Sequence, residues 1–211
     1  MKKILLIVLL FLSLMVCMTS AASAGHLEDL SDGAKAYKKG DFDEAIRFYT
    51  SAISSGKLSQ KDLSAAYALR GMAWLKKSAY DSRDKALHTL DKAIADLTKA
   101  IELDPQLDIA YYYLGLACKT KGDDDKAIAN YTKAIEIDPR YDEAYCERGM
   151  SWYRKSDYDK AIADFTKAIE INPKNGNAYA GRCMAWLKKG DNDKANADYL
   201  KSQELSGMEE E

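Results

Sequence analysis

Histidine and cysteine, on which many catalytic and metal sites depend, are scarce in this sequence: 211 residues include two histidines and four cysteines. His26 and His88 lie far apart in the chain, and both are expected to be solvated surface residues. Cys118, Cys146 and Cys183 have the spacing of neither a zinc site nor a disulfide framework. The sequence therefore predicts a protein that is not an enzyme and that uses no metal or cofactor.

Clustered positive charge is also missing. The chain has 31 basic and 33 acidic side chains and a formal charge of −2. Lys2 and Lys3 belong to a distinct N-terminal segment, and without that segment the balance is 29 to 33, a charge of about −4. Because nucleic-acid binding needs concentrated cationic charge, the composition argues against a nucleic-acid partner.

Proline is the third scarce residue, and its placement is regular. The three prolines are Pro105, Pro139 and Pro173, at intervals of 34 residues. The stretches Asp108–Pro139 and Asp142–Pro173 are identical at 18 of 32 positions when they are aligned without gaps. A fixed period in this range indicates stacked supersecondary units rather than one globular core.

Each unit has the pattern of two helices. In the unit of residues 108–139, Tyr111 and Gly115 are four positions apart, as are Ala127 and Tyr131, which places each pair on one helical face. Gly122 lies in the short turn between the two segments, where a left-handed residue ends a helix. One such hairpin leaves apolar surface on both sides, so it must stack on its neighbours. The predicted fold is all-α.

These residues resemble the tetratricopeptide repeat (TPR) family, whose pattern is W-x2-L-G-x2-Y, then A-x3-F, then P. Cys118 replaces the usual Tyr of the pattern, and Arg148 replaces the usual Leu in the next unit, but the spacing is kept. The resemblance implies a right-handed α-solenoid of about five helix hairpins. The matching residues of the third unit are Tyr111, Leu114, Gly115, Ala127, Tyr131, Ala134 and Pro139.

Residues 1–24 have the pattern of a cleavable signal peptide. Lys2 and Lys3 precede an apolar run over residues 4–18, and Ala22-Ser23-Ala24 supplies small residues for cleavage. A helix of about 15 residues is roughly 22 Å long, shorter than a bilayer core of about 30 Å. We therefore expect an exported protein, periplasmic or secreted, without a membrane span after cleavage. A lipid anchor on Cys17 is the alternative.

The repeat also places the other boundaries. The solenoid is predicted at residues 25–205, with units at about 27–57, 64–105, 108–139, 142–173 and 177–205, and an acidic tail at 206–211. Gly71 and Ala93 are 22 positions apart, whereas Gly115 and Ala127 are 12 apart, so the second unit contains ten extra residues. Its second helix is expected to start early, near residues 82–84. The insertion, residues 78–91, is either a tolerated surface feature or a partner contact.

The two end units are expected to present polar outer faces, as terminal repeats require. Glu28 and Lys35 replace alanines of the third unit, and Asn196 and Gln203 replace isoleucines of the third and fourth units.

The family resemblance further implies a concave groove, lined by the first helices of successive hairpins, that binds a peptide or helix of a partner protein. Methionine and tyrosine would make this surface adaptable, and basic residues would edge it. The predicted groove residues are Met72, Tyr112, Leu116, Lys119, Cys146, Met150, Tyr153, Arg154, Met184, Leu187 and Lys188.

Three classes of function compete on this pattern. A non-enzymatic adaptor with a protein or peptide partner follows from the repeats. A self-associating structural protein of the cell envelope is the alternative. A cysteine-dependent enzyme depends on Cys118, Cys146 and Cys183 alone, none of which has a histidine close to it in the sequence.

Overall fold

The computed structural model describes residues 25–207, and every regular element in that range is an α-helix. The predicted signal peptide with Cys17, and the last four residues of the predicted acidic tail, lie outside the described residues. The ten helices are α1 (residues 25–38), α2 (Phe42–Ser54), α3 (Gln60–Ser78), α4 (Arg83–Leu103), α5 (Asp108–Thr120), α6 (Asp124–Ile137), α7 (Asp142–Arg154), α8 (Tyr158–Ile171), α9 (Gly176–Lys189) and α10 (Asn192–Gly207).

The helices pair in chain order into hairpins, which confirms the predicted all-α fold. They form two compact units that divide between Asp104 and Pro105. The first unit contains the hairpins α1/α2 and α3/α4, and the second contains α5/α6, α7/α8 and α9/α10.

The turns inside the hairpins have a recurring chemistry. Gly122 and Gly190 adopt φ values of 85° and 82°, a left-handed conformation that costs glycine little. Ser156 takes the equivalent place in the fourth hairpin at φ 64°. The next residue is an aspartate that caps the following helix: the side chains of Asp123 and Asp157 accept the backbone N–H groups of Lys126 and Lys160.

An aromatic ring packed against a glycine closes two of the three hairpins of the second unit. A Cβ atom on Gly115 would lie 2.5 Å from Cε1 of Tyr131. The ring of Phe165 lies against two glycines, because a Cβ on Gly149 or on Gly181 would be 3.0 Å or 2.5 Å from its Cε1 atom. Tyr131 and Phe165 are both fully buried, so these positions tolerate no larger residue without rearrangement.

The ten-residue insertion lengthens both helices of the second hairpin. α4 begins at Arg83, as the spacing predicts, and it therefore starts ten residues before Ala93, whereas α6 starts three residues before Ala127. Thr89 is buried in the added turns and Leu90 directly after them, but Tyr80 and Leu87 are 80% and 54% exposed. The insertion thus adds packed helix and also exposed apolar side chains.

The first hairpin corrects one prediction. Glu28 and Lys35 are exposed, as expected of a terminal repeat. His26, however, is buried, which contradicts its predicted place at the solvated surface. His26 lies within α1, which already includes residue 25. His88 is exposed.

The last helix has a mixed outer surface. Asn196 and Gln203 are exposed, as predicted. Tyr199 and Leu200 are also exposed, at 52% and 60%. Tyr199 has the register of Tyr131 and Phe165, but Cys183 replaces the glycine that receives the ring in the other hairpins, so the tyrosine ring cannot approach α9 as closely.

Candidate functional site

A cavity of about 380 Å³ opens between the first helices of the three hairpins of the second unit. α5, α7 and α9 each contribute to its wall, and α7 lies in the middle, in contact with both others. We call this cavity the α5/α7/α9 groove. Its lining residues are Tyr112 and Lys119 of α5, Glu143, Cys146, Glu147 and Met150 of α7, and Asn177, Ala180, Gly181 and Met184 of α9, with Asn175 at the N-terminus of α9.

The groove arises because one register position becomes smaller from hairpin to hairpin. Tyr112, Cys146 and Ala180 occupy the same position of their helices. The loss of side-chain volume from tyrosine to cysteine to alanine leaves open space beside α9. Met150 and Met184 lie four residues further along α7 and α9, at equivalent positions of the two helices. They form the apolar part of the wall.

Tyr112 forms an aromatic wall on the α5 side. Its ring centroid lies 4.9 Å from that of Tyr141, 5.2 Å from that of Tyr113 and 6.0 Å from that of Tyr131. Burial raises the pKa of Tyr112 well above its ordinary value, and the nearby carboxylate of Glu147 raises it further. Contacts with these three neighbouring rings hold the Tyr112 ring in place.

The lining of the groove contains more acidic side chains than basic ones. Lys119 of α5 forms an ion pair with Glu147 of α7, and both side chains are largely shielded from solvent. Glu143 also lines the cavity, and within residues 25–207 it has no ion pair with a lysine or arginine. Burial raises the pKa of Glu143, with a further contribution from the adjacent Asp142. The groove thus carries one carboxylate more than it carries cations.

Two asparagines lie at the same end of the groove as Glu143. The side chain of Asn175 is already hydrogen-bonded within the protein. Its amide donates to Asp142 at 3.0 Å, and its oxygen accepts the N–H of Ala178 at 3.0 Å. Asn177 is exposed, and its side chain makes no hydrogen bond to other residues of the described chain. Its amide is available to a backbone or side chain of a ligand.

The structure brings together five of the eleven predicted groove residues: Tyr112, Lys119, Cys146, Met150 and Met184. The others lie elsewhere. Leu116 packs on the buried cluster of Cys118, Ala127 and Tyr131; Tyr153 contacts the ring of Tyr158; Arg154 pairs with Asp124 at 3.2 Å; Leu187 and Lys188 are exposed on α9; and Met72 belongs to the first compact unit.

The predicted basic edge is not what the groove presents. Lys119 and Arg154 are both engaged by carboxylates, and the charge left over is that of Glu143. Glu143, Asn175 and Asn177 were not among the predicted residues. A signal for them exists in the sequence, because all three fall at the N-terminal ends of first helices, seven to nine residues before the methionines of the same helices.

The thiols have no environment that would activate them. Burial raises the pKa of Cys146 to about 12 and also raises the pKa of Cys118 and Cys183. A thiol is a poor nucleophile while it stays protonated. In the described part of the chain, no three His, Cys, Asp or Glu side chains are grouped so that they could hold a metal ion. A search of the same residues finds no helix with the length and apolar character that a membrane crossing requires.

Comparison with known families adds to this geometry. A family model named tetratricopeptide repeat matches residues 142–175, and a second one, named TPR repeat, matches residues 89–122 and 115–156. The chain contains tetratricopeptide repeats. The matches run from α4 to the N-terminal end of α9 and so include α5 and α7, two of the three helices that form the groove.

Relatives and solved structures agree with these repeats. A protein SGT1 homolog from Oryza sativa subsp. japonica is 37% identical over 101 residues, which are 47% of this chain and 22% of that protein. The match thus spans about a fifth of that relative. The crystal structure of MamA has a TM-score of 0.67 at 27% identity and covers 87% of this chain and 92% of its own. YrrB, described as a TPR protein with an unusual peptide-binding site, has a TM-score of 0.62 at 18% identity, with 84% of each chain covered.

The TPR fold narrows the classes of function. Tetratricopeptide repeats are scaffolds for protein interaction and generally have no enzymatic activity, so they support the predicted adaptor. The fold alone does not name the partner, because one scaffold presents many different surfaces.

Proposed function

We propose that this protein is an exported adaptor that binds a segment of a partner protein in the α5/α7/α9 groove. Export follows from the signal-peptide pattern of residues 1–24. The observation that carries the binding site is the cavity of about 380 Å³, which has an aromatic wall, two methionines and a glutamate without an ion pair to a lysine or arginine of the described chain. Sites of this kind combine apolar surface with a few polar groups that fix the orientation of the ligand.

The size of the groove suits side chains rather than a folded domain. Ligand pockets have volumes of about 300–1,000 Å³, and this groove lies near the lower limit. Met150 and Met184 can adapt their rotamers to a bound side chain because the thioether chain is flexible and polarizable. The proposed ligand is therefore a short segment that inserts one or two side chains.

Filling the groove tests this proposal. Ala180→Tyr places a tyrosine at the register where α5 already accommodates Tyr112, so a stable fold is expected. Ala163→Tyr is the matched control, since Ala163 is exposed on α8 and does not line the groove. Immobilised protein would be incubated with an extract of cells that make it, and bound proteins would be identified by mass spectrometry.

We expect at least one protein captured by the wild type and by Ala163→Tyr to be lost with Ala180→Tyr. Circular dichroism would establish that both variants remain helical. If every captured protein binds Ala180→Tyr as well as it binds the wild type, this groove is not the binding site.

Self-association is a second candidate function, and the exposed Tyr199 and Leu200 of α10 favour it. Apolar side chains on a terminal helix could contact another copy of the chain. Sedimentation velocity over a range of concentrations measures this directly. A sedimentation coefficient that rises with concentration, and that no longer rises in Leu200→Ser, supports it; a monomer at every concentration excludes it.

A further inference from the structure

The α5/α7/α9 groove has a polar end and an apolar end. Glu143 and Asn177 lie in the first turns of α7 and α9, whereas Met150 and Met184 lie seven residues further along the same helices. Seven residues of α-helix span about 10 Å. A ligand that lies along α7 therefore meets a polar site and an apolar site separated by about this distance.

The polar end is negative. Asp142 and Glu143 are adjacent, and Asp142 is already the acceptor for the amides of Asn172 and Asn175, at 2.9 and 3.0 Å. Glu147 lies one turn beyond Glu143 on the same helix, and it shares its charge with Lys119. The N-termini of α7 and α9 contribute partial positive charge, but the carboxylates of Asp142 and Glu143 outweigh it. Glu143 shares a hydrogen bond with Asp142 but has no ion pair with a lysine or arginine of the described chain, so a cationic group of a ligand can pair with it.

An extended segment matches the spacing between the two ends. A strand-like chain rises about 3.3 Å per residue, so side chains three positions apart are about 10 Å apart along it. A cationic side chain at one position can then meet Glu143 while an apolar side chain three positions away meets the methionines. The side-chain amide of Asn177, which has no hydrogen bond within the described chain, can pair with the backbone of such a segment.

We propose that the α5/α7/α9 groove binds an extended segment of a partner protein that places an arginine or lysine against Glu143 and an apolar side chain, about three residues away, against Met150 and Met184. This inference deepens the proposed function and depends on it. The argument for a basic side chain is charge complementarity, since the groove offers one carboxylate without a cation.

A library of random twelve-residue peptides, displayed on phage and selected on the immobilised protein, tests this inference. Peptides that bind Ala180→Tyr equally well would be discarded. We expect the remaining peptides to share an arginine or lysine with a large apolar residue about three positions away. Their affinity should fall as salt concentration rises, because screening weakens an exposed ion pair.

Two substitutions then assign the contact. In fluorescence anisotropy with a synthetic peptide from the selection, Glu143→Gln should weaken binding about threefold to tenfold, the range expected for a partly exposed ion pair. Glu136→Gln is the control, because Glu136 is exposed on α6, pairs with Lys133 and lies outside the groove. Glu143→Lys should bind the same peptide with its basic residue changed to glutamate better than it binds the original peptide.

The outcomes separate the inference from the proposed function. Peptides that require the open groove but share no basic residue, or that bind Glu143→Gln with unchanged affinity, would overturn the inference and leave the adaptor function standing. If selection yields no peptide, or only peptides that are indifferent to Ala180→Tyr, both are overturned.

Discussion

Arg148 holds Asp164 through two parallel hydrogen bonds, from Nε to Oδ2 and from Nη2 to Oδ1, each 2.8 Å long. Its third nitrogen donates to Thr132 of the preceding hairpin at 3.0 Å. The arrangement recurs with Arg70, Asp96 and Thr50, and with Arg182, Asp198 and Thr166. It ties the two helices of one hairpin to the second helix of the hairpin before.

In the third hairpin, Leu114 and Asn130 occupy the positions that Arg148 and Asp164 have in the fourth. Asp164→Asn should destabilise the protein by about 3 kcal/mol, because it leaves a largely buried guanidinium without its carboxylate. The double variant Arg148→Leu with Asp164→Asn copies the third hairpin and should recover most of that loss. Urea unfolding followed by circular dichroism measures both. A double variant as unstable as the single one would contradict this account of the register.

The close approach at Phe165 predicts opposite effects for two glycines of one helix. Gly181→Ala places a Cβ 2.5 Å from the ring of Phe165 and should destabilise the protein by about 1–3 kcal/mol, reduced by alanine's better helix propensity. At Gly176 the nearest atom would be 3.7 Å away, so Gly176→Ala should be neutral or stabilising. Phe165→Leu should relieve the effect of Gly181→Ala. Equal thermal midpoints for the two alanine variants would show that the ring is not in the way.

Acid should weaken the helix caps. The ammonium of Lys160, at 2.6 Å from Asp157 Oδ2, is the main cause that lowers the pKa of Asp157, and Lys126 and Lys194 act in the same way on Asp123 and Asp191. A carboxylate with a lowered pKa in the folded state adds stability above its ordinary pKa of 3.8, and this stability is lost as the pH falls through the lowered value.

The matching experiment compares urea midpoints at pH 7 and pH 3. The variant with asparagine at positions 123, 157 and 191 keeps caps but has no carboxylate to titrate there, so its midpoint should fall less than that of the wild type. Asp193→Asn, in the first turn of α10 but not at its cap, should behave as the wild type. A triple variant that is as acid-sensitive as the wild type would place the effect elsewhere.

Thiol chemistry separates the adaptor from a cysteine-dependent enzyme. In the full chain carrying Cys17→Ser, iodoacetamide at pH 8 should modify the remaining three cysteines slowly, because all three are buried and burial raises their pKa values. In urea the three should react at the rate of ordinary thiols. Rapid modification of any one of them in the folded protein would instead favour a cysteine-dependent enzyme.

The sequence was sufficient for the hairpins because one alanine recurs and is buried in all five units, at Ala45, Ala93, Ala127, Ala161 and Ala195. It also anticipated the early start of α4, since Leu90 keeps the apolar spacing of Ala93 and Leu97. In the sequence alone, Arg148 is only a departure from the Leu of the TPR pattern. The structure explains this arginine, because it donates hydrogen bonds to Asp164 and Thr132, which belong to two other helices.

The site was less predictable because it depends on differences between the repeats. The groove exists where Tyr112, Cys146 and Ala180 become successively smaller, and its charge depends on which glutamate Lys119 reaches. Lys119 could be placed on the groove from its register alone. Its pairing with Glu147, which leaves Glu143 unpaired, follows from the distance between two hairpins and is not encoded in the spacing of either.

The methionine methyl groups of the groove provide the most direct test of the central claim. With ¹³C-methyl methionine in the wild type, the signals of Met150 and Met184 would be assigned by single substitution to leucine and followed by NMR as a captured partner segment is added. The account predicts that both signals shift and saturate at one segment per chain, and that neither shifts in Ala180→Tyr. Saturable binding that leaves the Met150 and Met184 signals unchanged would contradict it.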